Sequence, residues 1–322
     1  MILNSNEYYT GLTNLALYIA MYATNKTDKS RALVDALTTE QLEYGDTKIF
    51  RSLPLPQVGN YSDNSSLLEK AIAAFTPSGS ETSVNAVEDV ISVSKKKLIK
   101  STYNIEMLKL AVKSEYGVND FVSTVLSNID AAKIDFLYDL IVNDLYTLTP
   151  GATEEVELLD LSDQTLPSEI QAGEILNQKK ISLACQKVID SMTRFSTSYN
   201  GYGLKQSVDM SDLRMVVFQP YKNEAVTNLF AELLNSDVIN QNFPRPELIT
   251  IPESKAKECS NYDGDVIAII MHKAAYQLSF KLQYMGNFFD SSNLNVNNFM
   301  HFWFLHGWVK QLPTALIKIK GE

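Results

Sequence analysis

A long helical periodicity in the middle of the chain constrains the fold more than any other feature. Apolar residues recur at spacings of three and four across residues 118–145, which is the pattern of an amphipathic helix. Asn119 or Asp120 suits the N-cap position, and Pro150-Gly151 stops the run. The predicted helix is about 40 Å long, which is more than a compact domain of this size usually needs.

A second long helix is predicted from Ser168 to about Ser196. Ser168 and Gln171 have the spacing of a capping box. The predicted helix has one apolar stripe, formed by Ile181, Ala184, Cys185, Val188, Met192 and Phe195.

The following segment alternates between strand and helix patterns. Residues 213–218 form an apolar run that ends before Pro220, and residues 223–234 have helical spacing. Further strand patterns cover residues 248–251, 265–271 and 312–320. This order predicts a small mixed α/β unit.

The N-terminal part of the chain contains short and extended patterns. An amphipathic helix is predicted within residues 8–22, without the basic region of a signal peptide. Leu33, Leu37 and Leu42 suggest another short helix. In residues 50–56 the alternating prolines exclude a helix or a central strand, so an extended arm lying on another surface is expected.

Two further segments have distinctive compositions. Residues 87–99 contain β-branched residues around Lys95, Lys96 and Lys97, which predicts an exposed strand or hairpin. Residues 288–308 interleave large aromatic side chains with asparagines. The aromatic side chains should be covered, Trp303 should be buried within the chain, and the asparagines should close turns.

Charge and cysteine usage exclude several classes of protein. The 322-residue chain has a formal net charge of -10, whereas a protein that grips DNA phosphates needs excess cations. An acidic balance suits either a container wall around DNA or solubility alone. Cys185 and Cys259 are expected to be free thiols, and two cysteines with three histidines supply no zinc spacing. No membrane span is predicted.

No constellation of catalytic residues is found in the sequence. His272, His301 and His306 are interpreted as core or interface residues, and the acidic residues 154–157 as a solvated loop. Phosphate-binding, nucleotide-binding and hydrolase motifs are missing. The sequence therefore predicts a protein that is not an enzyme and has no metal or cofactor, with an unrecognised enzyme as the less favoured reading.

Three segments resemble a known family. They are the lysine-containing strand with the long helix at residues 87–146, DLRMVVFQP at residues 212–220, and residues 265–303, which end in an Asn-rich stretch and His-Phe-Trp. Together they resemble the Hong Kong 97-type major capsid proteins of tailed bacteriophages, in particular those of small podophages.

The resemblance implies an α+β capsid fold with four named parts. The expected division is an N-terminal helix and extended N-arm at 1–60, an E-loop region at 61–112 and a P-domain with a spine helix at 113–200. An A-domain follows at 201–264, and residues 265–322 return as strands with the aromatic segment.

The resemblance also implies a function. The chain would self-assemble as hexamers and pentamers into an icosahedral shell that encloses packaged double-stranded DNA without binding it specifically. Partners would be further copies, a portal and possibly scaffolding or decoration proteins, with assembly in the host cytoplasm. An encapsulin-like nanocompartment shell is the alternative. The inter-subunit contact candidates are Phe50, Arg51, Leu53, Leu55, Lys95, Lys96 and Lys97.

Overall fold

The computed structural model of the protein describes residues 29–43, 46–55, 87–92, 94–104, 115–160, 166–218, 246–290, 292–293 and 295–320. The helices are α1 (Lys29–Leu37), α2 (Glu115–Tyr146), α3 (Pro167–Met192) and α4 (Glu253–Lys257). The strands are β1 (Lys48–Ser52), β2 (Val87–Ile91), β3 (Ser94–Asn104), β4 (Ala152–Val156), β5 (Leu213–Phe218), β6 (Glu247–Ile251), β7 (Val266–His272), β8 (Tyr276–Asp290), β9 (Asn295–Trp308) and β10 (Thr314–Ile319).

A five-stranded mixed sheet lies between the two long helices. Its order is β4-β10-β7-β5-β6, and the apolar runs of β5 and β7 place them at its centre, where both faces are buried. Alternate residues of β5 point to opposite faces. Met215 and Val217 join the core under α3, while Val216 and Phe218 join the core that includes α2.

A three-stranded antiparallel sheet packs against the other part of α2. Its order is β3-β9-β8, and β8 and β9 form a long hairpin. The ring of Phe136 on α2 contacts the rings of Phe302 and Phe304 on β9, with centroids 6.0 and 6.2 Å apart. The 32-residue helix α2, about 48 Å long, therefore contacts both sheets through its C-terminal half.

The short helix α1 belongs to the same core. Leu33 and Leu37 are buried with α2, as their spacing predicted, and Arg31 forms an ion pair of 3.0 Å with Asp130 of α2. Leu42, however, lies beyond the helix, in a segment that runs along β8.

The predicted helix boundaries needed three corrections. Helix α2 already begins at Glu115, so positions 119 and 120 lie inside it and not at its N-cap. Helix α3 begins with Pro167, which is favoured in a first turn, and Leu166 is its N-cap residue without a side-chain bond, so the capping box was wrong. The helix ends at Met192, which leaves Phe195 outside the buried stripe and 63% exposed.

The strands agree more closely with the sequence patterns. The predictions for β5, β6, β7 and β10 are confirmed to within two residues at each end. Residues 154–157 were wrongly assigned to a loop, because residues 154–156 belong to β4, which pairs in parallel with β10. The helices predicted within 8–22 and 223–234 lie outside the described residues.

Helix α3 packs on one face of the five-stranded sheet. Ile181, Cys185 and Val188 contact this face, with Met215 and Val217. The core of α3 is thus shared with the strands between residues 213 and 319. The expected grouping of α2 and α3 in one segment, 113–200, stays a prediction.

Candidate assembly surfaces

The strands β1 and β2 form a two-stranded antiparallel ribbon, here called the ribbon, that stands apart from both larger sheets. Ile49 pairs with Val90, Phe50 with Asp89, and Arg51 with Glu88. Residues 50–52 were predicted to be unable to pair, which was wrong. Pro54 acts only after the strand has ended at Ser52, so it stops the strand rather than preventing it.

The inner face of the ribbon is held to the body by hydrogen bonds to Asp89. The buried Asp89 carboxylate accepts a bond of 2.6 Å from the Tyr202 hydroxyl and one of 2.9 Å from the backbone N–H of Gln311. The Gln311 side-chain amide donates to the carbonyl oxygens of Phe50 and Val87, at 2.8 and 3.0 Å. The bond to Asp89 raises the pKa of Tyr202, because the neutral hydroxyl is the donor.

The outer face of the ribbon is exposed and carries two aliphatic side chains beside an ion pair. Ile49 and Val90 are 48% and 53% exposed, and the neighbouring Arg51–Glu88 ion pair of 2.9 Å is also exposed. Leu53 and Leu55, beyond the strand, are 68% and 49% exposed. Phe50 packs within its own chain, against Ile91, Leu305 and Val309. The inter-subunit role of Arg51, Leu53 and Leu55 stays a prediction.

The lysine cluster lies on β3, at the edge of the three-stranded sheet. The prediction of an exposed strand is confirmed by β3. The hairpin alternative is not, because β2 pairs with β1 and β3 pairs with β9. The Nζ atom of Lys96 lies 4.0 Å from the centroid of the Trp303 ring, and that of Lys97 lies 5.0 Å from that of Phe136. Lys95 is half-buried opposite Phe304. An inter-subunit role for these lysines stays a prediction.

The aromatic segment forms regular strands instead of irregular turns. Asn297 and Asn298 lie within β9 and are buried, so their predicted role in closing turns was wrong. Phe302 and Phe304 are fully buried, as expected. Trp303 is only half-buried, on the opposite face of β9, and Phe288 is 63% exposed, which corrects the expectation of complete coverage.

A partly buried polar cluster around Asp144 was not singled out from the sequence. The Asp144 carboxylate accepts a bond of 2.7 Å from the Tyr276 hydroxyl and lies 2.6 Å from Nδ1 of His306. Burial, with the nearby Asp144, raises the pKa of Tyr276 well above its ordinary value. The cluster ties the end of α2 to β8 and β9. Its available signal was the alternation of Phe302, Phe304 and His306, which places the histidine on the buried face.

The remaining candidates for chemistry are separated or inert. Cys185 and Cys259 are free and buried, and burial raises the pKa of the Cys185 thiol to about 12, so it carries little thiolate. In the described parts of the chain, histidine, cysteine and carboxylate side chains nowhere form a group able to hold a metal ion. Nor does any described helix combine the length and apolarity that crossing a membrane requires.

Comparison with solved structures identifies the fold. A chain in the capsid structure of Staphylococcus phage Andhra has a TM-score of 0.53 and 11% sequence identity, covering 88% of this chain and 83% of that chain. A chain in the structure of head fiber and inner core protein gp22 of native bacteriophage P68 has a TM-score of 0.51 and 11% identity, covering 89% and 84%. The predicted Hong Kong 97-type α+β capsid fold is confirmed.

The family follows from the sequence itself. The family model of the Phi29-like phage major capsid proteins matches residues 33–318, and the chain belongs to that family. A search of curated proteins found no match. The predicted role as a shell-forming major capsid protein, a component of the virion capsid, is confirmed, and no finding supports the encapsulin-like alternative.

Proposed function

We propose that this capsid protein forms the hexamers and pentamers of an icosahedral shell by laying its ribbon and the adjoining residues 53–55 on a neighbouring subunit. The shell encloses packaged double-stranded DNA without gripping it, and the protein has no catalytic role. The net charge of -10 supports the proposed lack of direct DNA binding, because binding to DNA phosphates requires a surplus of cations.

The observation that carries the proposal is the two-sided character of the ribbon. One side is fixed to the body by Asp89 and Gln311. The other side exposes Ile49 and Val90, continued by Leu53. Exposed aliphatic side chains on both sides of the exposed Arg51–Glu88 ion pair favour contact with another protein surface. A ribbon fixed at its base presents that set in a defined orientation, so little ordering is required when two subunits meet.

The division of the chain belongs to the same proposal. The ribbon corresponds to the base of an E-loop, and α2 with the three-stranded sheet to a P-domain. The five-stranded sheet with α3 corresponds to an A-domain. The Lys95–Lys97 cluster then lies on the P-domain sheet, where Lys96 remains exposed and able to meet an acidic neighbouring surface.

The proposed partners are those of a phage shell. Further copies of the chain form the wall, a portal occupies one vertex, and scaffolding or decoration proteins complete assembly in the host cytoplasm. Membership in the Phi29-like family supports these partners.

Replacing the exposed leucines beside the ribbon tests the proposal. Leu53→Ser with Leu55→Ser removes apolar side chains that contact little in the subunit, so a folded and soluble subunit that forms no shells is expected. Leu159→Ser with Leu166→Ser is the matched control, because these leucines are 40% and 55% exposed outside the ribbon. Truncation up to residue 56 is unsuitable, since it also removes the buried Leu33 and Leu37.

Shell formation is scored by negative-stain microscopy and subunit size by analytical ultracentrifugation. Shells of normal yield and diameter from the Leu53/Leu55 variant would contradict the proposed contact.

A further inference from the structure

The three-stranded sheet has one covered face and one open face. The rings of Phe302 and Phe304 on β9 point towards α2, where both contact the same phenylalanine ring. Because side chains alternate along a strand, the odd-numbered residues of β9 point the other way. Leu305 is buried against the ribbon residue Ile91, so the open part of this second face begins at Trp303.

Strand pairing arranges this open part, here called the aromatic face, in four rows. Each row consists of directly opposite residues of β3, β9 and β8. The rows are Lys96–Trp303–Leu282, Leu98–His301–Tyr284, Lys100–Phe299–Gly286 and Thr102–Asn297–Phe288. Successive rows are two residues apart, which is about 7 Å along the strands. Every row contains a tryptophan, tyrosine or phenylalanine ring, and these rings form a track along the sheet.

Two rings of the track are open to solvent. Tyr284 and Phe288 are 60% and 63% exposed. A Cβ atom at Gly286 would lie 3.2 Å from Cε1 of Tyr284, so the tyrosine ring leans along the strand over the glycine. One face of this ring is then turned towards the sheet and the other towards solvent. A ring face held in this orientation is a surface on which another flat ring can stack.

The charge of the sheet is opposite to that of the chain as a whole. Strands β3, β8 and β9 carry five lysines and one aspartate, in a chain whose formal net charge is -10. On the aromatic face, Lys96 and Lys100 line the β3 side, and none of the four rows contains an acidic residue. The Nζ atom of Lys100 lies 5.8 Å from the centroid of the Phe299 ring. Cations therefore accompany the track of rings.

We propose that the aromatic face binds a single strand of nucleic acid, either DNA or RNA. Bases stack on Tyr284 and Phe288, and phosphates pair with Lys96 and Lys100. Aromatic rings combined with cations hold unpaired strands without reading their sequence, and sheets are a common support for such rings. Double-stranded DNA keeps its bases stacked on one another, so the packaged genome is not a ligand for the rings. The inference goes beyond the proposed function and does not depend on shell formation.

Fluorescence anisotropy of the full-length protein, kept as free subunits, measures the binding. The probes are labelled oligothymidylate, labelled oligouridylate and a labelled DNA duplex of the same length. At least one of the single strands should bind about tenfold or more tightly than the duplex, and its binding should weaken as the salt concentration rises. The tighter of the two single strands identifies DNA or RNA as the preferred ligand. Equal affinity for single strands and duplex would overturn the proposal, because charge alone would then explain the binding.

Matched variants test the rings and the cations separately. Tyr284→Ser and Phe288→Ser should each weaken single-strand binding about fivefold or more, because each removes a stacking surface. Phe195→Ser is the control, since this ring is also 63% exposed but lies outside the three-stranded sheet. Lys100→Gln should weaken binding and reduce its dependence on salt, whereas Lys179→Gln, at an exposed position of α3, should change neither. Unchanged binding by both ring variants would overturn the proposal.

Hydroxyl-radical footprinting of Tyr284 and Phe288 in subunits and in shells distinguishes a polypeptide as the occupant. If neither single strand binds to free subunits and both rings lose their labelling in shells, the proposal is overturned and the aromatic face is a contact between subunits. The anisotropy experiment needs no shells, so a negative result there would leave the proposed function unaffected.

Discussion

Removing the Asp89 carboxylate should release the ribbon without unfolding the subunit. Asp89→Ala deletes the acceptor of two hydrogen bonds, from Tyr202 at 2.6 Å and from the Gln311 N–H at 2.9 Å. A bond to a charged group contributes about 1.5–3 kcal/mol. The Gln311 group is buried, but Tyr202 is 43% exposed, so its bond contributes less.

The expected loss is about 2–4 kcal/mol of docking free energy. Each 1.4 kcal/mol is about a tenfold change in an equilibrium constant, so the detached ribbon becomes roughly 30- to 1000-fold more populated. The loss stays local because the ribbon contacts the body through few groups: a small cluster around Ile91, the Gln311 side chain, and Lys48, which donates to Gln277. Global thermal unfolding should therefore change much less than ribbon opening.

Hydrogen exchange at residues 87–91 measures the opening, and shell yield measures its consequence. Tyr202→Phe, which removes only the hydroxyl, should give a smaller change in the same direction. Glu88→Ala is the control: its ion pair with Arg51 is exposed and contributes about 0–1 kcal/mol. The reasoning is refuted if Asp89→Ala leaves exchange at residues 87–91 unchanged, or if it lowers global stability as much as it loosens the ribbon.

Three further predictions concern the sheet and its core. Trp303→Ala should leave a folded, soluble subunit whose free energy of unfolding is lower by roughly 2 kcal/mol, as measured by thermal unfolding. This is half the cost at a fully buried site, because Trp303 is half-buried under Lys96. Complete loss of soluble protein would contradict this. Replacing Lys95–Lys97 by glutamates should lower shell yield and remove part of its sensitivity to salt, as seen by light scattering, whereas an unchanged salt response would show that the lysines are only solvated. The free energy of unfolding should fall as the pH rises above about 10. The pKa of Tyr276 is raised in the folded protein, so the unfolded chain loses this proton first. Denaturant titrations of Tyr276→Phe should show a shallower decline of the free energy of unfolding with pH, and an equal decline would contradict the assignment.

Helices and strands with a regular spacing of apolar residues were predictable from the sequence. The stripe from Ile129 to Leu145 in α2 and the apolar runs of β5 and β7 are buried as their spacing indicates. A helix that buries one face has apolar residues every three to four positions, and a strand buried on both faces is a continuous apolar run. Each pattern lies within its own segment, so it is visible in the local sequence. The boundaries were less accurate because α3 starts at Pro167 without a side-chain cap, leaving no polar signal at its true start.

The assembly surfaces were only partly predictable. Residues 50–56 were predicted to be an extended arm that lies on another surface. Leu53 and Leu55 are exposed, and their contact with a partner stays a prediction. The effect of the prolines on strand pairing was overestimated, because a proline prevents backbone pairing only at its own position. The Asp144 cluster had no local motif, since its carboxylate and His306 are 162 residues apart in the chain.

The sequence by itself determined where the long helices and buried strands lie, and that the chain is acidic and lacks catalytic motifs. Only the tertiary structure decided which strands pair: β3 with β9 rather than with β2, and β4 with β10 across the five-stranded sheet. Backbone hydrogen bonds are nearly the same for every residue type, so a strand pattern does not specify its partner. The partner is selected by which faces can be buried together, and that depends on α2 packing against both sheets at once.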